Sequence, residues 1–435
     1  MTLDRRQLFT AGALGAATTA VAAAPTAWAS SGRPMPNRPV TTGADRAAAD
    51  GWRVLSGRSV GVVTNPTGIL ADLRGIVDVM AADGGVDLQA VFGPEHGFRG
   101  TAQAGEAQDT FVDERTGVTV YDAYGATPAS LAGMIEESGV EVVVFDIQDV
   151  GARFYTYIWT MYTAMRACVR TGTAFVVLDR PNPIGGRAHG PMMTSEYTSG
   201  VGAKEIVQAH GMTVGELARF FDGEFLEADE GARLDGLEVV RVAGWRRDVT
   251  FEGTDLPWVM PSPNMPTPDT ALVYPGTCLF EGTNLSEGRG TTRPFELVGA
   301  PFVDFRWAEV LTERDIPGVD VREAYFNPTS GKHAGTVCGG VQVHVTDPRA
   351  LDGPRLGAEM LVAAKALYGS DLAWREDAWD RERPFWVDKL TGSPRLREMI
   401  DAGASADEVV GAWQEELAAF VAARTPYLLY GGPAR

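Results

Sequence analysis

Short apolar runs alternate with amphipathic segments through the first half of the chain, which is typical of a sheet of parallel strands. The runs are rich in Val, Ile, Leu and Phe without strict alternation, as expected when helices cover both faces of a sheet. The predicted strands are residues 60–64, 88–92, 118–121, 140–146, 174–179 and 237–242. Apolar residues at helical spacing predict helices at 75–83, 128–138, 160–171 and 213–224. The pattern therefore predicts an α/β fold with a Rossmann-like open sheet.

The second half of the chain has a different pattern. Val alternates with smaller or polar residues over 336–345, which predicts a half-buried strand. Helices are predicted at 354–368, 393–401 and 406–424, and the last follows a capping box that begins at Ser405. We expect a Rossmann-like domain over 43–268 and a smaller α+β domain over 269–435, with a ligand cleft between them.

Residues 261–301, at the junction, contain many prolines and glycines. Prolines at 261, 263, 266 and 268 argue against a long helix or an ordinary strand, so we predict an irregular loop. The loop is dense in hydrogen-bonding side chains, which suits recognition of a polyhydroxylated or carboxylated ligand. Its candidate ligand-binding residues are Asn264, Glu281, Asn284, Glu287, Arg289 and Arg293.

Polar side chains also follow four of the predicted strands. The carboxyl ends of parallel strands lie at one edge of the sheet, where ligands of open α/β proteins bind. These side chains are Asn65 after the first strand, Glu95, His96 and Arg99 after the second, Asp146, Gln148, Asp149, Arg153 and Tyr155 after the fourth, and Asn182 after the fifth. Asp and Asn often cap helices in such positions, but their joint occurrence favours a binding cleft.

The N-terminus predicts export. Arg5 and Arg6 form a twin-arginine motif, an Ala-rich apolar segment follows, and Ala27-Trp28-Ala29 is a small-x-small cleavage site. We expect a signal peptide over residues 1–29, a flexible leader over 30–42, and a secreted or periplasmic mature protein. The apolar run is too short for a membrane anchor, so no stable membrane insertion is expected after cleavage.

Composition excludes several classes of function. The net charge of −19 argues against nucleic acid or anionic lipid as the main ligand. Cys168, Cys278 and Cys338 lie far apart and are odd in number, so they form no disulfide framework and at most one intrachain disulfide. Buried free thiols are expected for Cys168 and Cys338. No GxGxxG motif follows the first strand, so dinucleotide binding is disfavoured and no cofactor is predicted.

The hydrolase motifs of other classes are also missing. The sequence contains neither GxSxG nor HExxH, which disfavours an amidase with a serine nucleophile or zinc. The five histidines are scattered, so no metal site is predicted, although His96 and His344 are expected to line the cleft. A non-catalytic sugar-binding protein would have the same polar cleft, and this alternative stays open.

Several motifs together resemble the NamZ family of exo-acting β-N-acetylmuramidases. The motifs are GPEHGFRG, DIQDVGARFYTYIWTM, DRPNPIGG, HGMTVGELA, PSPNMPT, YPGTCLFEGTNLSEGRGTTRPFE, GGVQVHVTD and AWQEELAAFVAARTPYLLY. The resemblance covers residues 45–430. The segment between Gly190 and His210 lacks the Pro-rich run of the family, which bears on contacts at the rim of the cleft.

The resemblance implies removal of terminal N-acetylmuramic acid from the non-reducing end of peptidoglycan fragments. Its motif implies that Glu95 is the general acid, which is one of the carboxyl groups that glycoside hydrolysis requires. Asp146, Asp149, Glu281 and Glu287 are all candidates for the second carboxylate. The 2-acetamido group of the substrate could instead attack, oriented by Asp146 or Asp149. For the lactyl carboxylate of the substrate, Arg289 is the first candidate, with Arg153 and Arg293 as alternatives.

Overall fold

A computed structural model describes residues 39–100 and 109–432. The predicted signal peptide and most of the leader lie outside the described residues. The strands are β1 Ser59–Thr64, β2 Asp87–Gly93, β3 Phe111–Val112, β4 Thr119–Asp122, β5 Val142–Asp146, β6 Ala174–Leu178, β7 His189–Met192, β8 Val207–Ala209, β9 Leu237–Val240, β10 Leu297–Ala300, β11 Val319–Phe326 and β12 Cys338–Val345.

Helices connect and cover these strands. They are α1 Gly43–Ala49, α2 Ile76–Ala82, α3 Pro128–Ser138, α4 Tyr157–Thr171, α5 Val214–Phe221, α6 Glu227–Glu230, α7 Pro268–Thr277, α8 Arg306–Glu313, α9 Gly353–Tyr368, α10 Trp386–Thr391, α11 Arg395–Asp401, α12 Ala406–Gly411 and α13 Gln414–Arg424. None of the helices in the described ranges is long and apolar enough to cross a membrane.

The main sheet has seven strands in the order β3-β4-β2-β1-β5-β6-β9. Only the short edge strand β3 is antiparallel to its neighbour; the other six strands run parallel. Numbered along the chain, these six have the order 3-2-1-4-5-6 of the Rossmann fold. The six predicted strands and the Rossmann-like α/β class are therefore confirmed. The order reverses between β1 and β5, where Thr64 pairs with Asp146.

Both faces of this sheet are buried, which explains why its strands lack polar alternation. On one face Val63, Phe92 and Val143 join a core that extends into the second half of the chain. On the other face Val62 and Val91 pack in a separate core with α1 and α2. The β-branched runs of the sequence are thus the interior of a three-layer arrangement.

The smaller domain contains an antiparallel sheet in the order β10-β12-β11. Helix α9 packs against α7, α8 and α12, and the chain then returns to the first half. Tyr430 donates a hydrogen bond to the buried Asp179 carboxylate, and the Leu429 N–H donates to Glu216 at 2.6 Å. The C-terminal residues therefore close the molecule on the Rossmann-like half.

Two predicted elements were wrong in part. The 261–301 segment is not an irregular loop throughout, because it contains α7 and β10. Pro268 occupies the first turn of α7 behind the Thr267 cap, where a missing N–H costs no hydrogen bond. The single helix predicted over 406–424 is broken at Ala412 and Trp413 into α12 and α13. Cys168, Cys278 and Cys338 are buried and free, which agrees with the prediction made for Cys168 and Cys338.

Candidate active site

The polar groups after β1, β2 and β5 converge at the point where the strand order reverses. Asn65 follows β1 and is buried. Its Oδ1 accepts hydrogen bonds from the backbone N–H of Thr67 at 2.9 Å and from the Thr67 hydroxyl at 2.6 Å. Its amide faces the carbonyl oxygen of Pro261 at 3.4 Å. Asn65 therefore connects the strand end to the start of the junction segment.

Glu95 lies half-buried in the turn after β2. The Thr156 hydroxyl donates to its Oε2 at 3.2 Å. The Tyr157 hydroxyl lies 3.4 Å from the Glu95 carbonyl and donates to Pro261 O at 2.7 Å. The next residue, His96, is buried and has a left-handed φ of 70°. This turn holds the Glu95 carboxylate beside the first turn of α4, partly open to a ligand.

Asp149 is a second buried carboxylate at the same edge. Its Oδ2 accepts hydrogen bonds from the Gly151 N–H at 2.7 Å and from His210 Nε2 at 3.1 Å. Its Oδ1 has no hydrogen-bond partner among the described residues, although it is buried. A buried carboxylate oxygen without a partner is costly, so its presence at a strand end points to a ligand or water in the functional state.

Tyr155 lies close enough to both carboxylates to interact with their charges. Its hydroxyl is buried beside Ser262, and no described group completes a well-formed hydrogen bond with it. Burial raises the pKa of this hydroxyl well above its usual value, and the negative charges of Asp149 and Glu95 act in the same direction. Glu95, Asp149 and Tyr155 therefore share one electrostatic environment.

Asp146 has different surroundings. It is fully buried, and Arg180 binds both of its oxygens, with Nε at 2.5 Å from Oδ1 and Nη2 at 2.8 Å from Oδ2. Burial raises the pKa of Asp146, and the Arg180 charge opposes that shift. The ion pair therefore already satisfies this carboxylate, without a ligand.

Four more of the predicted binding residues have protein partners in the structure. Gln148 donates to the carbonyls of Asp149 and Pro181, and Asn182 donates to that of Met212. Arg153 is buried and donates to three backbone carbonyls, those of Pro191, Ile206 and Leu390. Arg99 bridges Asp78 and Asp113 near the surface. These side chains hold the loops around the site in position.

Burial has a large effect on Arg153. It lowers the pKa of the Arg153 guanidinium to about 9, and the negative charge of Glu416 opposes this shift only in part. The guanidinium connects β7, the residue that precedes β8, and α10. Arg153 therefore has a structural role in the interior of the protein.

The junction segment lines a pocket of about 790 Å³. Arg289 contacts Glu281 at 2.6 Å and Glu287 at 3.3 Å, and its guanidinium lies over the Phe295 ring. Lys332 contacts Glu287 at 3.0 Å. The pocket is lined by Glu281, Thr283, Asn284, Glu287, Arg289, Gly331, Lys332, His333 and Arg375. Three cationic side chains thus face two carboxylates, which makes the pocket locally positive in an acidic protein.

The other predicted junction residues are spread along this region. Asn284 bridges the backbone at Asp371 and Ala373. Arg293 is exposed and pairs with Glu296 at 3.3 Å, and Asn264 is half-buried. His344 is exposed on β12 opposite Asp320 of β11.

A run of aromatic rings connects the strand-end site with the junction pocket. Tyr155 contacts Tyr157 at 5.3 Å and Tyr274 at 5.7 Å between ring centroids. Tyr274 in turn contacts Phe295 at 4.7 Å, and Arg289 lies over that ring. Packed aromatic side chains therefore connect the strand-end site with the junction pocket.

Sequence reasoning did not single out several residues of the site. They are Thr156, Tyr157, His210, Tyr274 and Lys332. Thr156 and Tyr157 lie in the FYTY motif, and His210 begins HGMT, so motif membership was the available signal. Tyr274 begins the YPGTC motif, so the same signal was available for it. Lys332 lies in none of the motifs, and its position depends on how distant segments pack. Within residues 39–100 and 109–432, no cluster of three or more His, Cys, Asp or Glu side chains could hold a metal ion.

Two carboxylates at the carboxyl edge of a Rossmann-like sheet are the kind of groups that a glycoside hydrolase uses. Sequence models of the NamZ exo-β-N-acetylmuramidase match the chain, the N-terminal model over residues 60–269 and the C-terminal model over 272–430. The chain therefore belongs to the NamZ family, which confirms the resemblance of its motifs.

Individual relatives agree with this assignment. The peptidoglycan β-N-acetylmuramidase NamZ of Bacillus subtilis strain 168 is 43% identical over 394 residues, which cover 90% of this chain and 91% of the relative. Two DUF1343 family proteins of Bacteroides fragilis NCTC 9343 have similar crystal structures. The first has a TM-score of 0.80 at 32% identity and matches 91% of this chain and all of its own. The second has a TM-score of 0.71 at 30% identity and matches 90% of this chain and 99% of its own.

Proposed function

We propose that this protein releases terminal N-acetylmuramic acid from the non-reducing end of peptidoglycan fragments, with Glu95 as the general acid. The observation that carries the proposal is the half-buried Glu95 carboxylate, held by Thr156 in the same electrostatic environment as Asp149 and Tyr155. The Bacillus subtilis relative, a peptidoglycan β-N-acetylmuramidase by name, supports the choice of substrate.

In the proposed reaction, Glu95 gives its proton to the glycosidic oxygen as the bond from that oxygen to C1 breaks. Water adds to C1, and its proton leaves on a carboxylate, so the products are two free sugars. Asp149 is better suited than Asp146 to assist, because Arg180 already binds both Asp146 oxygens. Through Oδ1, Asp149 would either accept the proton of the attacking water or bind the N–H of the 2-acetamido group.

We place the lactyl carboxylate of the substrate in the junction pocket, with Arg289 as its main contact. The cationic side chains of this pocket outnumber its carboxylates, so a ligand carboxylate is attracted there. The net negative charge of the whole protein would otherwise repel an anionic ligand. Arg289 contacts its two glutamates through Nε and Nη2, which leaves Nη1 to bind the ligand. The buried aromatic rings behind this pocket support Arg289, whose guanidinium lies over the Phe295 ring.

We further propose that the protein acts outside the cytoplasm. Support comes from Arg5 and Arg6, the Ala-rich segment and the small-x-small site that follow them in the sequence. Peptidoglycan fragments are present there, so the location and the proposed substrate agree.

Two disaccharides of opposite order test the proposed activity. The purified protein should release N-acetylmuramic acid from a disaccharide that carries this sugar at its non-reducing end. It should leave intact the disaccharide with N-acetylglucosamine at that end. Binding of the first disaccharide without release of either sugar would contradict the proposal and support a sugar-binding protein. Release of a peptide or an amine from a stem-bearing fragment would support an amidase.

A further inference from the structure

We propose that His210 is a positioning residue for this reaction, which holds Asp149 so that Oδ1 is directed at the sugar. This inference rests on the proposed function, because it assigns Asp149 a role in glycoside hydrolysis. His210 lies in the segment between β8 and α5, outside the strand-end motifs from which the site was predicted.

The hydrogen bonds of His210 define its tautomer. The backbone N–H of Met212 donates to His210 Nδ1 at 3.2 Å, so Nδ1 is an acceptor and carries no proton. The proton of the neutral ring therefore lies on Nε2, which is 3.1 Å from Asp149 Oδ2. The ring is buried and both nitrogens have partners, so the imidazole can neither rotate nor exchange its donor.

The backbone around the pair is equally constrained. Ala152 and Ala209 form an isolated β-bridge, and the His210 N–H donates to Gly151 O at 3.2 Å. Arg424 at the end of α13 donates to the His210 carbonyl at 2.7 Å. Gly151 has a φ of 82°, and a Cβ there would collide with Asn182 and Ile184. The turn that delivers the Gly151 N–H to Asp149 therefore requires glycine.

These contacts divide the two oxygens of Asp149 by function. His210 and Gly151 both donate to Oδ2, which holds the carboxylate in one orientation. The other oxygen, Oδ1, is buried without a partner in the described residues, in the environment that Asp149 shares with Tyr155 and Glu95. If Asp149 had only a structural role in the core, both of its oxygens would be expected to have hydrogen-bond partners. The arrangement instead resembles the orienting partners that fix a catalytic side chain for its substrate.

Substitutions at His210 test the inference on the full mature protein. His210→Leu removes the donor and should lower kcat on the muramic disaccharide about 10- to 100-fold with a small change in KM, the size expected for a misplaced catalytic group. His210→Gln keeps an amide donor within reach of Oδ2 and should recover much of that loss. His189→Leu is the matched control, because His189 also pairs with an aspartate, Asp352 at 3.0 Å, at a different place in the fold. That control should keep the kcat of the wild type.

A double-mutant cycle separates positioning from a general loss of structure. In the Asp149→Asn background, His210→Leu should have little further effect on kcat, because both changes disable the same group. Multiplicative losses, or a wild-type kcat in His210→Leu, would overturn the inference while wild-type activity still supports the proposed function. An inactive wild type would instead overturn the proposed function itself. If His210→Leu does not fold, His210→Asn takes its place in both backgrounds, because the shorter Asn amide does not reach Asp149 Oδ2.

Discussion

At the scale of single residues, the candidate carboxylates differ in what already binds them. Asp146 is bound on both oxygens by Arg180, and Glu281 and Glu287 lie against Arg289. Asp149 Oδ1 has no partner within the described part of the chain, and Glu95 is held by Thr156 in a half-buried turn. The sequence predicted that all of these carboxylates line one cleft, but it could not show which of them are free to act in catalysis. That depends on contacts with residues distant in the chain.

Asp146 should be needed for stability more than for chemistry. Asp146→Asn leaves the Arg180 guanidinium buried without its carboxylate, so the free energy of unfolding should fall by about 3–5 kcal/mol. Chemical denaturation followed by circular dichroism measures this change. The exposed pair of Asp72 with Arg74 supplies the control, since Asp72→Asn should leave the stability nearly unchanged. Normal stability with lost turnover in Asp146→Asn would return this residue to the catalytic candidates.

Arg289 should determine selectivity for the muramic sugar. Arg289→Ala should reduce kcat/KM on a muramic acid glycoside by a factor equivalent to about 2–4 kcal/mol of transition-state binding free energy. This is the scale of a charge-assisted contact that loses one partner. The rate on the matching N-acetylglucosamine glycoside, which has no lactyl carboxylate, should change little. Arg293→Ala, a substitution of a more exposed arginine in the same segment, should affect neither substrate strongly. Equal losses on both substrates would show that Arg289 supports the segment through its glutamates.

At the scale of elements, the parallel strands could be predicted because both faces are buried, so continuous Val, Ile and Leu runs mark them. The short β3, β7, β8 and β10 have no such run, since their pairing depends on tertiary contacts. The prediction of an irregular loop at α7 was based on its prolines, but a proline in the first turn of a helix is compatible with the helix. The break between α12 and α13 directly follows Gly411, a poor helix former that the prediction of one helix over 406–424 did not take into account.

The contact between α7 and α9 depends on glycine. A Cβ at Gly276 would collide with the backbone of Gly353 and Gly357, so Gly276→Ala should lower the free energy of unfolding by about 1–3 kcal/mol through overpacking. Gly133 in α3 is the control, because a Cβ there meets no atom within 4 Å. Gly133→Ala should stabilise the protein by up to about 1 kcal/mol. Thermal unfolding of both variants gives the comparison, and a neutral Gly276→Ala would show that the two helices can separate without cost.

At the scale of the whole molecule, the two halves share one hydrophobic core and the C-terminal residues close on the Rossmann-like half. The class of the sheet followed from the sequence pattern, and the positions of Asn65, Glu95 and Asp149 at strand ends followed from the topology. The pairing of His210 with Asp149, and that of Lys332 with Glu287, did not, because each joins segments far apart in the chain.

Export should depend on the guanidinium groups of Arg5 and Arg6. A precursor in which both are replaced by lysine keeps its charge but loses the twin-arginine signal, so it should accumulate inside the cell. Cell fractionation and immunoblotting measure the exported share. Arg33→Lys in the leader is the control and should be exported normally. An unchanged exported share for the twin-lysine precursor would rule out this route.

The most direct test of the central claim is to measure how the turnover of the Glu95→Gln variant depends on the leaving group of the substrate. A glycoside with a poor leaving group needs its oxygen protonated, whereas an activated aryl glycoside does not. Turnover by Glu95→Gln should therefore fall about 10²- to 10⁴-fold on the muramic disaccharide and much less on an aryl muramic glycoside. Glu114→Gln, a change at an exposed residue, should match the wild type on both substrates. Near-normal turnover of the disaccharide, or an equal loss on both substrates, would contradict the assignment of Glu95 as the general acid.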